Sequence, residues 1–216
     1  MKAPIYYTAL GDSLSAGVGS FNKSGFVQRY AKFLEYYYRI PVVTNMYAKP
    51  RITSTELLHM LSNPEIQRSI YFSKIITISI GGNDLIRANR MYKKMKNPAV
   101  FQDVHGYFNQ TINQILYKIS EIKKAANDSS YIAQLIGIYN PYPKLSYSDY
   151  WIYQFNSVLY SYTSSNIHYI DLHQLFMSHG KKLLAWGIHP NGKGYEQIAH
   201  QLSLSFQKFH YNKPTI

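Results

Sequence analysis

Across 216 residues the chain carries 23 Lys and Arg against 11 Asp and Glu, a formal charge of +12, with 8 His and no Cys. That length suits one domain over residues 1–216 with a substantial core, and the missing cysteine excludes a disulfide framework, a thiolate nucleophile and any Cys-based zinc or iron–sulfur site. The positive field favours polyanions, anionic lipid heads and wall polymers included, yet the bases are scattered and no nucleic-acid module is recognisable, so nucleic acid is not an expected partner.

Apolar, β-branched runs recur at Ile5–Leu10, Val42–Asn45, Ile75–Ile80, Ile132–Tyr139 and Ile167–Leu172. Each is short enough for a strand and too continuously apolar for a half-exposed one, so five buried parallel strands are expected. Helical patterns fall between them, at Gly25–Tyr38, at Asp149–Tyr162, and where Ile112, Ile115, Leu116, Ile119 and Ile122 share one face. Thr53 with Glu56 reads as a capping box, Asn63-Pro64 as a cap before a first-turn proline, and Asn191 as the residue before the last helix. The stretch at about Asn89–Val104 reads as the longest loop. Alternating strand and helix imply an α/β doubly wound sheet with helices on both faces and ligands beyond the carboxyl ends of its strands. No run nears the ~18 apolar residues of a membrane span, and no signal-type segment precedes the first strand; a soluble protein is expected, either cytoplasmic or exported with its signal removed.

Three strand ends carry candidate chemistry. The first leads into Gly11-Asp12-Ser13-Leu14, where a serine hydroxyl beside a tight turn suits a nucleophile and helix-opening N–H groups suit an oxyanion; a plain cap by Ser13 is the competing reading. The third leads into Gly81-Gly82-Asn83-Asp84, where glycines let backbone approach a ligand and Asn83 offers an amide donor that does not titrate. Before the last helix, Gly187-Ile188-His189-Pro190-Asn191 puts a histidine in a loop, the place for a base. Serine, asparagine and histidine at one edge of one sheet supply nucleophile, oxyanion donor and base together.

On Gly11-Asp12-Ser13-Leu14, Gly82-Asn83-Asp84 and His189-Pro190-Asn191, with Gly137-Ile138-Tyr139-Asn140-Pro141 at the fourth strand, the chain resembles the GDSL-type (SGNH) esterase/lipase family over essentially its whole length. The resemblance implies a three-layer α/β/α flavodoxin-like fold and a serine ester hydrolase that needs no cofactor or metal. It makes Ser13 the nucleophile, His189 the general base, and Asn83 with the Ser13 N–H the oxyanion donors, with Gly82 beside them. The substrate implied is a lipid, saccharide or other small-molecule ester, handled by a monomer.

Two departures from the family's pattern stand out. The aspartate usual three residues before the histidine is here Trp186, which leaves a Ser–His dyad in which the Trp186 carbonyl is expected to accept the His189 Nδ1–H; Asp171 is the competing carboxylate. After the second strand, the glycine whose N–H is a third oxyanion donor aligns with Arg51 when the register is set by Thr53-Ser54, or with Pro50 when it is set by Asn45. Arg51 keeps the N–H and is preferred, with a narrower or differently shaped site expected from its side chain. His168, Asp171 and His173 offer no third ligand, so no metal is expected. Arg87, Arg90, Lys93, Lys94 and Lys96 follow the Asn83 motif either as a solvated face or as a rim facing an anionic surface. Met91, Met95, Tyr36 to Tyr38 and the Trp151–Phe155 aromatics are core by default and acyl-chain contacts otherwise. The rival functional reading is a weak or inactive protein that binds anionic wall polymer or membrane lipid.

Overall fold

A computed structural model describes residues 3–21, 24–185 and 187–211, Tyr211 by its backbone alone. In chain order run β1 (Ile5–Gly11), α1 (Phe26–Tyr38), β2 (Val42–Ala48), α2 (Ser54–Met60), α3 (Pro64–Phe72), β3 (Ile75–Ser79) and α4 (Gly82–Met95). These are followed by α5 (Ala99–Ala125), β4 (Ile132–Ile136), α6 (Ser148–Ser161), β5 (Ile167–Ile170), α7 (His173–His179) and α8 (Gly192–Tyr211). All five strands are parallel, in the order β2-β1-β3-β4-β5. The expected α/β/α architecture is therefore the observed one. One expectation needs correcting: β1, β3 and β4 are buried centrally, whereas β2 and β5 are edge strands and stay partly open to solvent.

Side chains alternate across the sheet because successive Cβ atoms point to opposite faces. Tyr7, Ala9, Ile132 and Ile136 pack with α1 and α8 through Phe26, Tyr30, Leu202 and Phe206. Leu10, Ile76, Ile78 and Leu135 pack on the other face with α2, α3, α5 and α6 through Leu57, Ile70, Ile115 and Phe155. In the first layer Tyr7 and Thr77 share a hydroxyl hydrogen bond of 2.8 Å, and Gln134 Nε2 donates to the Leu202 carbonyl at 2.9 Å, while the buried Tyr30 hydroxyl and Gln134 Oε1 have no hydrogen-bond partner among the described residues.

The expected loop at Asn89–Val104 is mostly helix. α4 runs to Met95, Lys96 closes it in the left-handed conformation at φ 55°, and α5 opens at Ala99 with its N–H on Asn97 Oδ1 at 3.0 Å. The break is confined to Lys96-Asn97-Pro98, since proline cannot continue α4 and suits a helix start. Ala88, Val100 and Phe101 form a small cluster of their own against Leu85, Tyr92, Val104, Tyr147 and Trp151. α5 has 27 residues, about 40 Å, against about 17 Å for a five-residue strand, so it overshoots the sheet. The level of the sheet edge is marked by Phe108: a Cβ on Gly81 (φ 108°) would lie 2.9 Å from its ring. Residues 99–107 therefore stand beyond the strand ends, with α4 packed beside them. Among the described residues, no helix is long and apolar enough to cross a membrane.

The other end of α5 is fixed by Lys123, whose side chain is 1% exposed. Its Nζ donates to the carbonyls of Ser73 at 2.7 Å and Tyr71 at 3.0 Å, and pairs with Asp128 Oδ2 at 2.7 Å. Asp128 also receives Lys74 Nζ at 2.9 Å. Lys123→Met leaves buried carbonyls and a carboxylate without that cation and is expected to cost about 3 kcal/mol. A urea midpoint within error of the wild type contradicts this account of how α5 is held.

Candidate active site

With β1 between β2 and β3, the connections leaving β1 and β3 pass to opposite faces and open a crevice at their carboxyl ends. Ser13 follows β1 and Asn83 lies in the first turn of α4, just after β3. No regular helix follows Ser13 at once. Residues 13–19 form a coil of turns, with the Ala16 N–H on the Asp12 carbonyl at 3.0 Å and the Val18 N–H on the Ser13 carbonyl at 3.1 Å. His189 reaches the same point from the loop before α8: its Nε2 lies 3.1 Å from Ser13 Oγ. With the ring proton on Nδ1, the serine hydroxyl donates to Nε2. Burial lowers the His189 pKa below its ordinary value.

The histidine loop is held through its backbone. The Tyr139 hydroxyl, itself pushed up well above the phenol range by burial, donates to the Ile188 carbonyl at 2.5 Å. The Ala185 N–H donates to the His189 carbonyl at 2.8 Å, and Asn191 Nδ2 bridges the Lys182 and Leu184 carbonyls at 2.9 and 3.0 Å. Gly19 (φ 95°) faces it so closely that a Cβ would lie 2.6 Å from the Pro190 carbonyl oxygen and 3.0 Å from His189 Cβ. Among the described residues no carboxylate lies within ion-pair distance of His189. The expected acceptor of its Nδ1–H, the Trp186 carbonyl, lies outside the described residues. Asp171 is exposed and caps α7, its Oδ1 accepting the His173 N–H at 2.8 Å.

Asn83 Nδ2 donates to the Ile52 carbonyl at 2.9 Å and faces Asp12 Oδ2 at 3.4 Å. Next to it, Asp84 accepts the Ser54 hydroxyl at 2.7 Å and the Ser54 N–H at 3.0 Å, so the starts of α2 and α4 are tied together. Arg51, just upstream, takes φ 72° after Pro50, the left-handed position of a turn that ordinarily wants glycine. Its N–H has no partner among the described residues. Its side chain is exposed and is not part of the cleft wall. A Cβ on Gly82 would meet nothing within 4 Å, which leaves that backbone open to the cleft.

Ser13, Asn83 and His189 thus share one cleft of about 960 Å³, its open mouth included. Leu85, Ile86, Ile138 and Ile152 give it apolar walls, and Phe101, Tyr147 and Trp151 line it from the helical overhang and α6. Of the aromatics singled out in the sequence, Trp151 and Ile152 line the cleft, Phe155 is core, and Tyr36 to Tyr38 lie on α1. His168 and His173 serve elsewhere, facing Ser205 Oγ at 3.2 Å and Asp149 Oδ1 at 3.1 Å. Among the described residues no group of three His, Asp or Glu converges. Sequence reasoning passed over Asp12, Asp84 and Tyr139, although all three stand inside the quoted motifs.

Asp12 is buried, with Oδ1 accepting the Leu14 N–H at 2.9 Å. Desolvation outweighs that bond and pushes its pKa up to about 6. Between the ordinary carboxylate value of about 3.9 and 6 the folded protein holds a proton that the unfolded chain releases, so this group's contribution to stability is present at low pH and lost as pH rises through 6. Asp12→Asn removes the dependence. Its stability relative to wild type is expected to rise by about 2–3 kcal/mol between pH 4 and pH 7, and parallel pH profiles from denaturant unfolding would refute that.

Comparison with known proteins identifies the family and the fold. The model of the GDSL-like Lipase/Acylhydrolase family matches residues 9–197. The spore germination lipase LipC of Bacillus licheniformis is 35% identical over 201 residues, 92% of this chain and 94% of that protein. The crystal structure of the lipase Lip_vut3 from a goat rumen metagenome superposes with a TM-score of 0.88 at 35% identity, covering 93% of this chain and 97% of that one. Axe2, an acetylxylan esterase from Geobacillus stearothermophilus, shares the fold at TM-score 0.69 and 18% identity, with 94% of each chain covered. The chain belongs to the GDSL-like lipase/acylhydrolase family and is an ester hydrolase.

Proposed function

We propose that the protein cleaves carboxylic esters by double displacement through Ser13, with His189 as base and no carboxylate behind it. The observation that carries this reading is the 3.1 Å approach of His189 Nε2 to Ser13 Oγ at the mouth of the apolar cleft. Ser13 Oγ attacks the ester carbonyl carbon as its proton passes to Nε2. The oxyanion is received by the Asn83 amide, whose second N–H is held only by the 3.4 Å contact to Asp12, together with the Ser13 and Arg51 N–H groups. Each such donor is typically worth about 3 kcal/mol of barrier. Collapse expels the alcohol, which takes the proton from His189. Water, deprotonated by the same imidazole, then releases the acid and frees Ser13. Tyr139 stands in for part of what a carboxylate does, by fixing the backbone that carries the ring.

The exposed outer face of α4 carries Arg87, Arg90, Lys93, Lys94 and Lys96, while its inner residues Leu85, Ile86 and Asn89 line the cleft. An anionic lipid or wall surface is the contact this charge suits, with the enzyme acting as a monomer. A decayed, binding-only site fits less well, because decay gives no reason for serine and histidine to remain in hydrogen-bond contact.

Fluorophosphonate labelling followed by intact mass tests the assignment. One adduct is expected on the wild type and none on Ser13→Ala, with labelling at least ~100-fold slower in His189→Gln. The reactive imidazole is the neutral one and burial disfavours the cation, so the wild-type rate is expected to rise with pH through a single step below about 6.5 and stay level above it. Asp171→Asn is expected to label within about threefold of wild type. Abolished labelling in a folded Asp171→Asn protein would return the orienting role to that carboxylate, and an unlabelled wild type would remove the mechanism.

A further inference from the structure

Resting on the reading of Ser13 as nucleophile, we infer that the cleft is a closed-ended acyl pocket for medium-length chains, and that Phe101, Tyr147 and Trp151 set the length. The pocket is built by the helical overhang. α4 carries Asn83 at the reacting end and Asn89 at the other, both on the cleft wall. Six residues of helix span about 9 Å, the reach of an extended acyl chain of about seven carbons.

Between those ends the walls are Leu85, Ile86, Ile138 and Ile152, with no charged side chain among them. A fatty acyl chain finds apolar contact along that path, while the cleft's polar side chains Asn140, Tyr142 and Ser148 lie on its wall outside these four residues. At the far end the Tyr147 hydroxyl donates to Asn89 Oδ1 at 2.8 Å, bracing α6's entry against α4. The Phe101 and Trp151 rings stack at 5.0 Å and 14°, and Phe101 also meets Tyr147 at 5.7 Å. Tyr92 closes the group from behind, 5.6 Å from Phe101 and 5.5 Å from Tyr147. Rings that pack on one another present a wall that a longer chain must displace, at the cost of those contacts.

The test varies acyl length at constant leaving group in p-nitrophenyl esters, and alcohol length at constant butanoyl group. Wild-type kcat/KM is expected to rise about fourfold per methylene, peak at about six to eight carbons, and fall at least ~10-fold by twelve. Trp151→Ala and Phe101→Ala are expected to move the peak outward by about two to four carbons, and Tyr147→Phe to make the fall shallower by releasing Asn89. The readout is the ratio of twelve-carbon to six-carbon rates, which cancels a uniform loss of folded enzyme, and Trp151→Leu covers a poorly folding alanine variant. A wild-type profile that is flat or still rising at twelve carbons, a peak these variants leave in place, or length discrimination in the alcohol series instead overturns the pocket. If those results come with a labelled Ser13, the pocket alone is wrong; an unlabelled Ser13 with no ester cleaved removes the mechanism it rests on and the pocket with it.

Discussion

β1 is hydrogen-bonded to β2 on one side and β3 on the other, and the whole site depends on that placement. Right-handed crossovers send the connections after β1 and β3 to opposite faces, so their carboxyl ends are the point where the sheet leaves a gap. Ser13 and Asn83 line that gap because each stands within a few residues of a buried strand end. His189 arrives from far along the chain and needs separate fixing, which the Tyr139 hydroxyl, the Asn191 amide and the close approach of Gly19 provide.

Rigidity at the gap comes at the expense of burying two carboxylates. Asp12 and Asp84 are both pushed toward the protonated form by desolvation, even though each accepts hydrogen bonds. In return, Asp84 locks the start of α2 to the start of α4, and Asn83 bonds the turn between Arg51 and α2 through the Ile52 carbonyl. The left-handed Arg51 belongs to the same arrangement. A non-glycine residue in that region carries strain of order 1 kcal/mol or more, and it persists where neighbouring contacts dictate the backbone.

The five strands were legible as short runs of apolar, β-branched residues, and the motif residues were legible because they sit at strand ends. Sheet position was not: nothing in Val42–Ala48 or Ile167–Ile170 tells a central strand from an edge strand. Asn89–Val104 looked like a loop because its apolar residues are few and spend themselves on one another. Ala88, Tyr92, Val100, Phe101 and Val104 make a small cluster while the outer side of α4 carries Arg90, Met91, Lys93, Lys94 and Met95. The Tyr139 bond to Ile188 spans 49 residues and leaves no local signal. The start of α2 was readable from Thr53 and Glu56, whose cap is recorded in the 2.8 Å Thr53 N–H bond to Glu56.

On the proposed Ser13–His189 dyad, a histidine without a carboxylate faces two opposed demands. Burial disfavours the cation of His189 and so favours the base in its neutral, reactive form. The same burial makes that imidazole a weaker base, and a general base loses driving force as its pKa falls below the working pH. A carboxylate would relieve the second problem by stabilising the imidazolium, and the +12 charge of this chain works in the other direction. Fixed geometry is what remains to the protein. A serine already 3.1 Å from the base loses no entropy finding it, and an oxyanion site made of neutral donors takes the developing negative charge without a counter-ion. On the proposed dyad, the burden of catalysis therefore shifts from the imidazolium toward the oxyanion.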